Sequence, residues 1–271
     1  MLTRIATAVL AGSVALAAIL WREPWGLYAL LVVVLFAASF EGGRLSPRDD
    51  SIITTSIAVV MTGMTLYLAE GTSLLPIFVG FAWLMGLATT IVRSTNGYVQ
   101  FTSFALWTGC AVLSATYLHV QTREVQGEFG LNLLCLALLP LWVGDSLAYF
   151  VGKAIGKHKM APSISPNKTW EGAVANLLGC LGAAYGIGAW LGVTVVASLA
   201  VGLTTGVLGQ VGDLLQSRLK RLANVKDSGS ILPGHGGILD RLDSFLFSSY
   251  PSLLALYLLA PEAFHVKQWP W

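Results

Sequence analysis

The sequence predicts an all-α, polytopic membrane protein. Two observations lead there. Of its 271 residues 55% are hydrophobic and only 11% are charged, whereas a soluble globular domain carries about 25% charged residues. The apolar residues also fall in runs close to the roughly 17–25 residues that a helix needs to cross a bilayer. In lipid the backbone must satisfy its own hydrogen bonds, and a helix does so within one segment.

Nine spans are expected, taken here in order. Ile5–Trp21 follows a single basic residue, Arg4, and outruns the about 7–15 apolar residues of a cleaved signal, so it reads as a first span. Trp25–Phe40 is short. Ser51–Ala69, Ser73–Val92 and Tyr98–Leu118 complete an N-terminal region, residues 1–120, of five spans. Phe129–Val151 opens a C-terminal catalytic region, residues 121–271, of four spans and two polar loops. Gly172–Gly212 is uncharged over 41 residues, enough for two helices, Gly172–Leu191 and Val193–Gln216, with a turn near Trp190–Gly192. The ninth, Ser244–Ala260, contains Pro251.

Charge placement sets the orientation. With nine spans, 13 of the 16 Lys and Arg residues share the side of the N-terminus, and only Arg22, Arg123 and Lys267 fall opposite. Cationic loops stay in the cytoplasm, so the N-terminus is expected there, the C-terminus outside, and an active site at the cytoplasmic interface. A net charge of +2 gives no reason to expect a nucleic-acid partner. Cys110, Cys135 and Cys180 sit in apolar runs without metal-type spacing and read as small helix residues. Tryptophans such as Trp21, Trp25, Trp170 and Trp190 mark span ends.

Three polar clusters interrupt the apolar pattern. Asp145, in Gly144–Tyr149, is a carboxylate inside the sixth span. Such a group is costly in lipid and is a functional candidate for that reason, with pairing to Lys153 as the plainer reading. Ser163–Gly172 places Lys168 beside hydroxyls at a helix start, where Ser165-Pro166 begins a turn or helix and Thr169 caps the seventh span. Free N–H groups and a lysine there suit a phosphate; a capped helix with an interfacial Trp is the alternative. The third and longest cluster is Ser217–Asp243. Asp213, Ser217 and Lys220 recur at helical spacing and share a face. Lys226-Asp227 and a Ser-Gly-Ser turn follow, and then Gly234-His235-Gly236-Gly237, whose glycines permit positive φ and expose N–H groups to an anion. Asp240 and Asp243 stand one helical turn apart. Carboxylates without thiolates favour a hard divalent ion such as Mg²⁺, and cations with glycine turns favour phosphates. Together they point to metal-assisted phosphoryl or nucleotidyl transfer. A loop that merely touches anionic headgroups would explain the cations but not the aspartates.

These residues resemble the phosphatidate cytidylyltransferase (CDP-diacylglycerol synthase) family. The family's pattern appears as Ser217, Lys220-Arg221, Lys226-Asp227, Gly229, His235-Gly236-Gly237 and Asp240-Arg241-Leu242-Asp243. Asp145–Tyr149 and Ser165–Gly172 are also similar to it, with Asn167 where the family usually has lysine. The likeness is good over residues 130–250, whereas the first 120 residues match only as apolar helices. It implies a transferase of phospholipid biosynthesis that converts CTP and phosphatidic acid to CDP-diacylglycerol and pyrophosphate with a divalent cation. On that basis Asp213, Asp240, Asp243 and Asp145 are expected to ligate metal. Lys168, Lys220, Arg221, Lys226 and Arg241 would hold phosphates. Ser165, Thr169, Ser217, Gly236 and Gly237 would add hydrogen bonds. Asp227 and His235 complete the catalytic set, His235 either orienting a phosphate or closing the turn. The expected setting is a bacterial inner membrane. A homodimer stays open beside a single copy.

Two other classes compete. A transporter would also carry an intramembrane Asp, but would place ionisable groups near mid-span and show inverted repeats. A CTP-dependent enzyme acting on another lipid phosphate differs only through the resemblance.

Overall fold

The computed structural model describes residues 2–20, 25–45, 79–80, 82–84, 97–121, 132–232, 234 and 236–264. The expected span Ser51–Ala69 lies outside them, as do most of Ser73–Val92, His235, and the cations Arg22, Arg48, Arg93, Arg123 and Lys267. The described chain is mostly helical, in the order α1 Leu2–Leu20, α2 Trp25–Arg44, α3 Gly97–Gln121, α4 Leu133–Ile155, β1 Lys159–Ala161, β2 Ser165–Thr169, α5 Trp170–Trp190, α6 Val195–Leu203, a π-turn Thr204–Leu208, α7 Gly209–Leu222 and α8 Leu239–Leu259. Five stretches among the described residues are long and apolar enough to cross a membrane: Gly26–Arg44, Leu133–Ile155, Trp170–Trp190, Val195–Leu222 and Leu239–Leu259.

The chain forms two compact units. One comprises Met1–Val120 with Leu219–Asp243, and the other Gln121–Arg218 with Ser244–Trp271. In the first, Leu31 and Leu35 of α2 pack on Val112 of α3. The second is built on α4 and α5. Asn132 caps α4 by accepting N–H bonds from Leu134 and Cys135 at 3.0 and 3.3 Å. Thr169 caps α5 by accepting the Gly172 N–H at 3.2 Å, satisfying one of the amides that a helix start leaves open. Gly144 and Gly152 of α4 meet Gly179 and Gly172 of α5. A Cβ on Gly179 would lie 3.2 Å from the Gly144 Cα, so small residues let the two backbones close up.

Three local details depart from the sequence reading. α2 runs on to Arg44, past the expected end at Phe40, and so takes Glu41 into the helix. Ser165–Thr169 is a strand, antiparallel to Lys159–Ala161, where Ser165-Pro166 was expected to begin a turn or helix. The helix expected to stop at Gln216 continues to Leu222. Pro251 lies within α8, as the expected ninth span had it, even though proline removes one helix hydrogen bond. The turn near Trp190–Gly192 is present, with Gly192 at φ 72°.

Candidate active site

In the second unit the polar centre is assembled from α4, β2, α5 and α7. Asp145 is exposed on α4, and its Oδ1 accepts a 3.0 Å bond from Asn176 Nδ2 on α5. Asn176 is itself only 3% exposed, and its Oδ1 accepts from Gln210 Nε2 of α7 at 3.2 Å. Gln210 Nε2 also donates to the carbonyls of Gly206 at 2.6 Å and Ala173 at 3.2 Å. Gly206 lies in the π-turn, where the regular ladder is interrupted and a carbonyl becomes available to a side chain. The amides of Asn176 and Gln210 thus fix Asp145 through helices that start far apart in sequence. Lys168, at the end of β2, reaches Asp213 Oδ2 at 2.6 Å, with both side chains partly exposed. Ser217 donates to Asp213 Oδ1 at 3.2 Å. The charges of Asp213 and Lys168 both act on Asp145.

The strand β2 and the Thr169 cap deliver Lys168 to this place. Thr169 is buried and its oxygen is spent on the cap. Ser165 is half-buried in the strand. Glu171, in the first turn of α5, accepts from His158 at Nδ1 (2.7 Å) and at the backbone N–H, which closes the β1–β2 hairpin onto the helix.

In the first unit, the segment between α7 and α8 is held by carboxylates. Lys220 Nζ donates to Asp240 Oδ1 at 2.6 Å, and both side chains are nearly buried. Asp240 Oδ2 accepts the backbone N–H groups of Ser228 at 2.8 Å and Gly237 at 2.9 Å. A tight reversal, in which the Leu232 N–H donates to the Gly236 carbonyl at 2.9 Å, uses Gly234 at φ 76° and Gly236 at φ 83°, values that glycine adopts without a Cβ penalty. Arg221 donates to the Val225 carbonyl at 3.2 Å. Lys226, Asp227 and Arg241 are exposed, and Asp243 is half-buried.

Each unit therefore brings part of the expected set together. Asp145, Lys168, Asp213 and Ser217 gather in one; Lys220, Asp240 and Gly237 gather in the other. Among the described residues no group of three or more His, Cys, Asp or Glu side chains is arranged to hold a metal ion. Asp145 and Asp213 are two carboxylates within electrostatic reach of each other. That fits Mg²⁺, which keeps several waters and takes one or two carboxylates plus substrate phosphates. Asp240, by contrast, has three donors already.

The Glu41 carboxyl accepts from Ser228 and Leu239; it, Asn176 and Gln210 escaped the sequence reading. Each is a lone polar residue in or beside an apolar run, and the rule that singled out Asp145 would have found all three.

A model of the cytidylyltransferase family matches residues 2–259. The chain belongs to the cytidylyltransferase family. Similar to this cytidylyltransferase are three proteins named phosphatidate cytidylyltransferase. That of Brucella abortus biovar 1 (strain 9-941) is 30% identical over 94% of this chain and 92% of its own length. That of Bacillus subtilis (strain 168) is 40% identical over 66% of each. That of Staphylococcus aureus (strain COL) is 47% identical over 46% of this chain and 48% of its own.

Proposed function

We infer that this cytidylyltransferase makes CDP-diacylglycerol and pyrophosphate from CTP and phosphatidic acid. The observation that carries the reading is the match to the Brucella phosphatidate cytidylyltransferase over nearly the whole of both chains. The chemistry of the polar residues agrees with it. A phosphatidate oxygen attacks the α-phosphorus of CTP, the bond to the β-phosphate oxygen breaks, and pyrophosphate leaves with that electron pair. The nucleophile is already anionic, so no strong base is required. The barrier lies in bringing two polyanions together and in stabilising charge on the leaving group.

Lys168, Lys220, Arg221, Lys226 and Arg241 hold phosphate groups in this reading, and Ser165 and Ser217 add hydroxyl donors. Lys168 exchanges its partner Asp213 for a phosphate as substrate enters. Asp213 with Asp145 would hold a divalent cation such as Mg²⁺, which supplies charge neutralisation on the phosphates when bound. Asp240, with its donors already in place, shapes the turn around Gly236-Gly237.

The setting is a nine-span protein of a bacterial inner membrane, with the N-terminus and the site at the cytoplasmic face, where CTP is found. The bias of Lys and Arg toward one side and the bacterial relatives support it. Reporters fused to the two ends check the topology: the N-terminal fusion reads cytoplasmic and the C-terminal one external, and two like readings would refute an odd span count. For the reaction, purified protein is incubated with labelled CTP, Mg²⁺ and a panel of lipid phosphates. CDP-diacylglycerol is the expected product. A product from another lipid phosphate alone moves the substrate assignment, and no product from any lipid ends it.

A further inference from the structure

Glu41 lies in the N-terminal half, far from the signature segment in sequence. Its side chain nevertheless meets that segment inside the first unit. Glu41 is 2% exposed. Its Oε2 accepts the Ser228 hydroxyl at 3.1 Å and the Leu239 backbone N–H at 2.9 Å, across 187 and 198 residues of sequence. Leu239 is the first residue of α8, so its N–H is one of the amides a helix start leaves unpaired. A carboxyl group there also meets the positive end of the helix dipole.

The surroundings are fitted to this one group. A Cβ on Gly229 would run into the Glu41 carboxyl, and a Cβ on Gly237 would run into both that carboxyl and the Ser228 hydroxyl. These two signature glycines are therefore explained by a residue outside the signature. Ser228 and Gly237 are also the residues whose N–H groups hold Asp240 Oδ2. Glu41 fixes one face of the turn and Asp240 the other. The second oxygen, Glu41 Oε1, is buried and has no hydrogen-bond partner among the described residues.

We propose that Glu41 is a positioning residue for cytidylyl transfer: through Oε2 it holds Ser228 and the start of α8, and so sets the Ser228–Asp240 turn in its working conformation. The proposal rests on the reading that this turn belongs to the active site. It assigns the role to acceptor geometry rather than to charge, and the two oxygens make that separable. In Glu41→Gln the amide oxygen can occupy the Oε2 position and keep both accepted bonds, while the amide nitrogen replaces the unpartnered Oε1.

The experiment measures kcat with CTP and phosphatidate, together with hydrogen exchange across residues 228–239, for the full chain in detergent. Glu41→Ala is expected to lower kcat on the order of 10²-fold, the cost of about 1 Å of misplacement, and to speed exchange in the turn. Glu41→Gln should stay within about fivefold of wild type, because a neutral acceptor bonds somewhat less strongly than a charged one. Ser228→Ala, a milder change that guards against misfolding, should fall between the two. Combined with Glu41→Ala it should add less than about twofold, since contacting residues are not additive. If Glu41→Gln is as damaging as Glu41→Ala, the charge or Oε1 is what matters and the proposal is overturned. Full additivity of the double variant overturns it as well. Faster exchange with unchanged kcat removes the turn from catalysis, and the proposal falls with that assignment; Asp240→Asn, fully active in that case, identifies the site reading as the cause.

Discussion

The ion pairs Lys168–Asp213 and Lys220–Asp240 have the same nitrogen–oxygen separation, 2.6 Å, and different surroundings. In the first, the side chains keep 25% and 31% of their exposure; in the second, 11% and 4%. The first pair joins a strand end to a helix, and its aspartate has one further donor, Ser217. The second is enclosed by a turn whose backbone N–H groups complete the carboxylate's shell. Distance alone would equate them. Burial separates them, because a half-exposed pair gives up little when it opens to water or substrate, whereas a buried charge left alone is heavily penalised. The difference makes the Lys168–Asp213 pair the easier of the two to open and Asp240 the more firmly held carboxylate.

Substitutions can break that contrast. The largest expected effect is for Asp240→Ala, which strands Lys220 and the Ser228 and Gly237 amides: stability should drop by about 3–5 kcal/mol, measured by unfolding in detergent, and activity should go with it. A loss no greater than for Asp213→Asn would erase the distinction. Asp213→Asn should in turn cost no more than about 1 kcal/mol of stability yet lower kcat on the order of 10²-fold, as loss of an electrostatic group at a reacting centre does. Near-wild-type transfer at saturating Mg²⁺ would remove Asp213 from the metal set. Asn176→Ala leaves Asp145 without its amide donor, and a stability loss of about 1–3 kcal/mol with a partial fall in kcat is expected; Gln210→Ala should act in the same direction and more weakly. Thr169→Ala is the smallest, about 1 kcal/mol from the lost cap, with turnover little changed. A collapse of kcat there would show that the hydroxyl touches substrate.

Much of the scaffold was legible. α4, α5, the α6–α7 stretch and α8 lie where apolar run lengths place helices, and Thr169 caps α5 as its position suggests. Local patterns end where neighbours decide. Phe40 ends an apolar run, but α2 continues because Glu41 is buried against the turn it binds. Ser165–Thr169 becomes a strand because Lys159–Ala161 pairs with it, a partner that Ser-Pro chemistry cannot reveal. In the candidate site the acidic and basic residues stood out against the apolar chain. Asn176 and Gln210 were passed over because they carry no charge, and Glu41 because it sits just beyond the apolar run that ends at Phe40.

By itself the sequence determined that the chain is helical and membrane-like, that it carries a cytidylyltransferase signature, and which aspartates and cations stand in it. The first and the last follow from composition, run length and spacing, which are local quantities, and the signature from its resemblance to the family. Only the tertiary structure decided which carboxylate faces which donor. It gave Asp213 an open lysine, enclosed Asp240, and brought Glu41 against Ser228 and Leu239. Burial and hydrogen-bond partnership arise between segments as distant as 198 residues, and no window along the chain contains them.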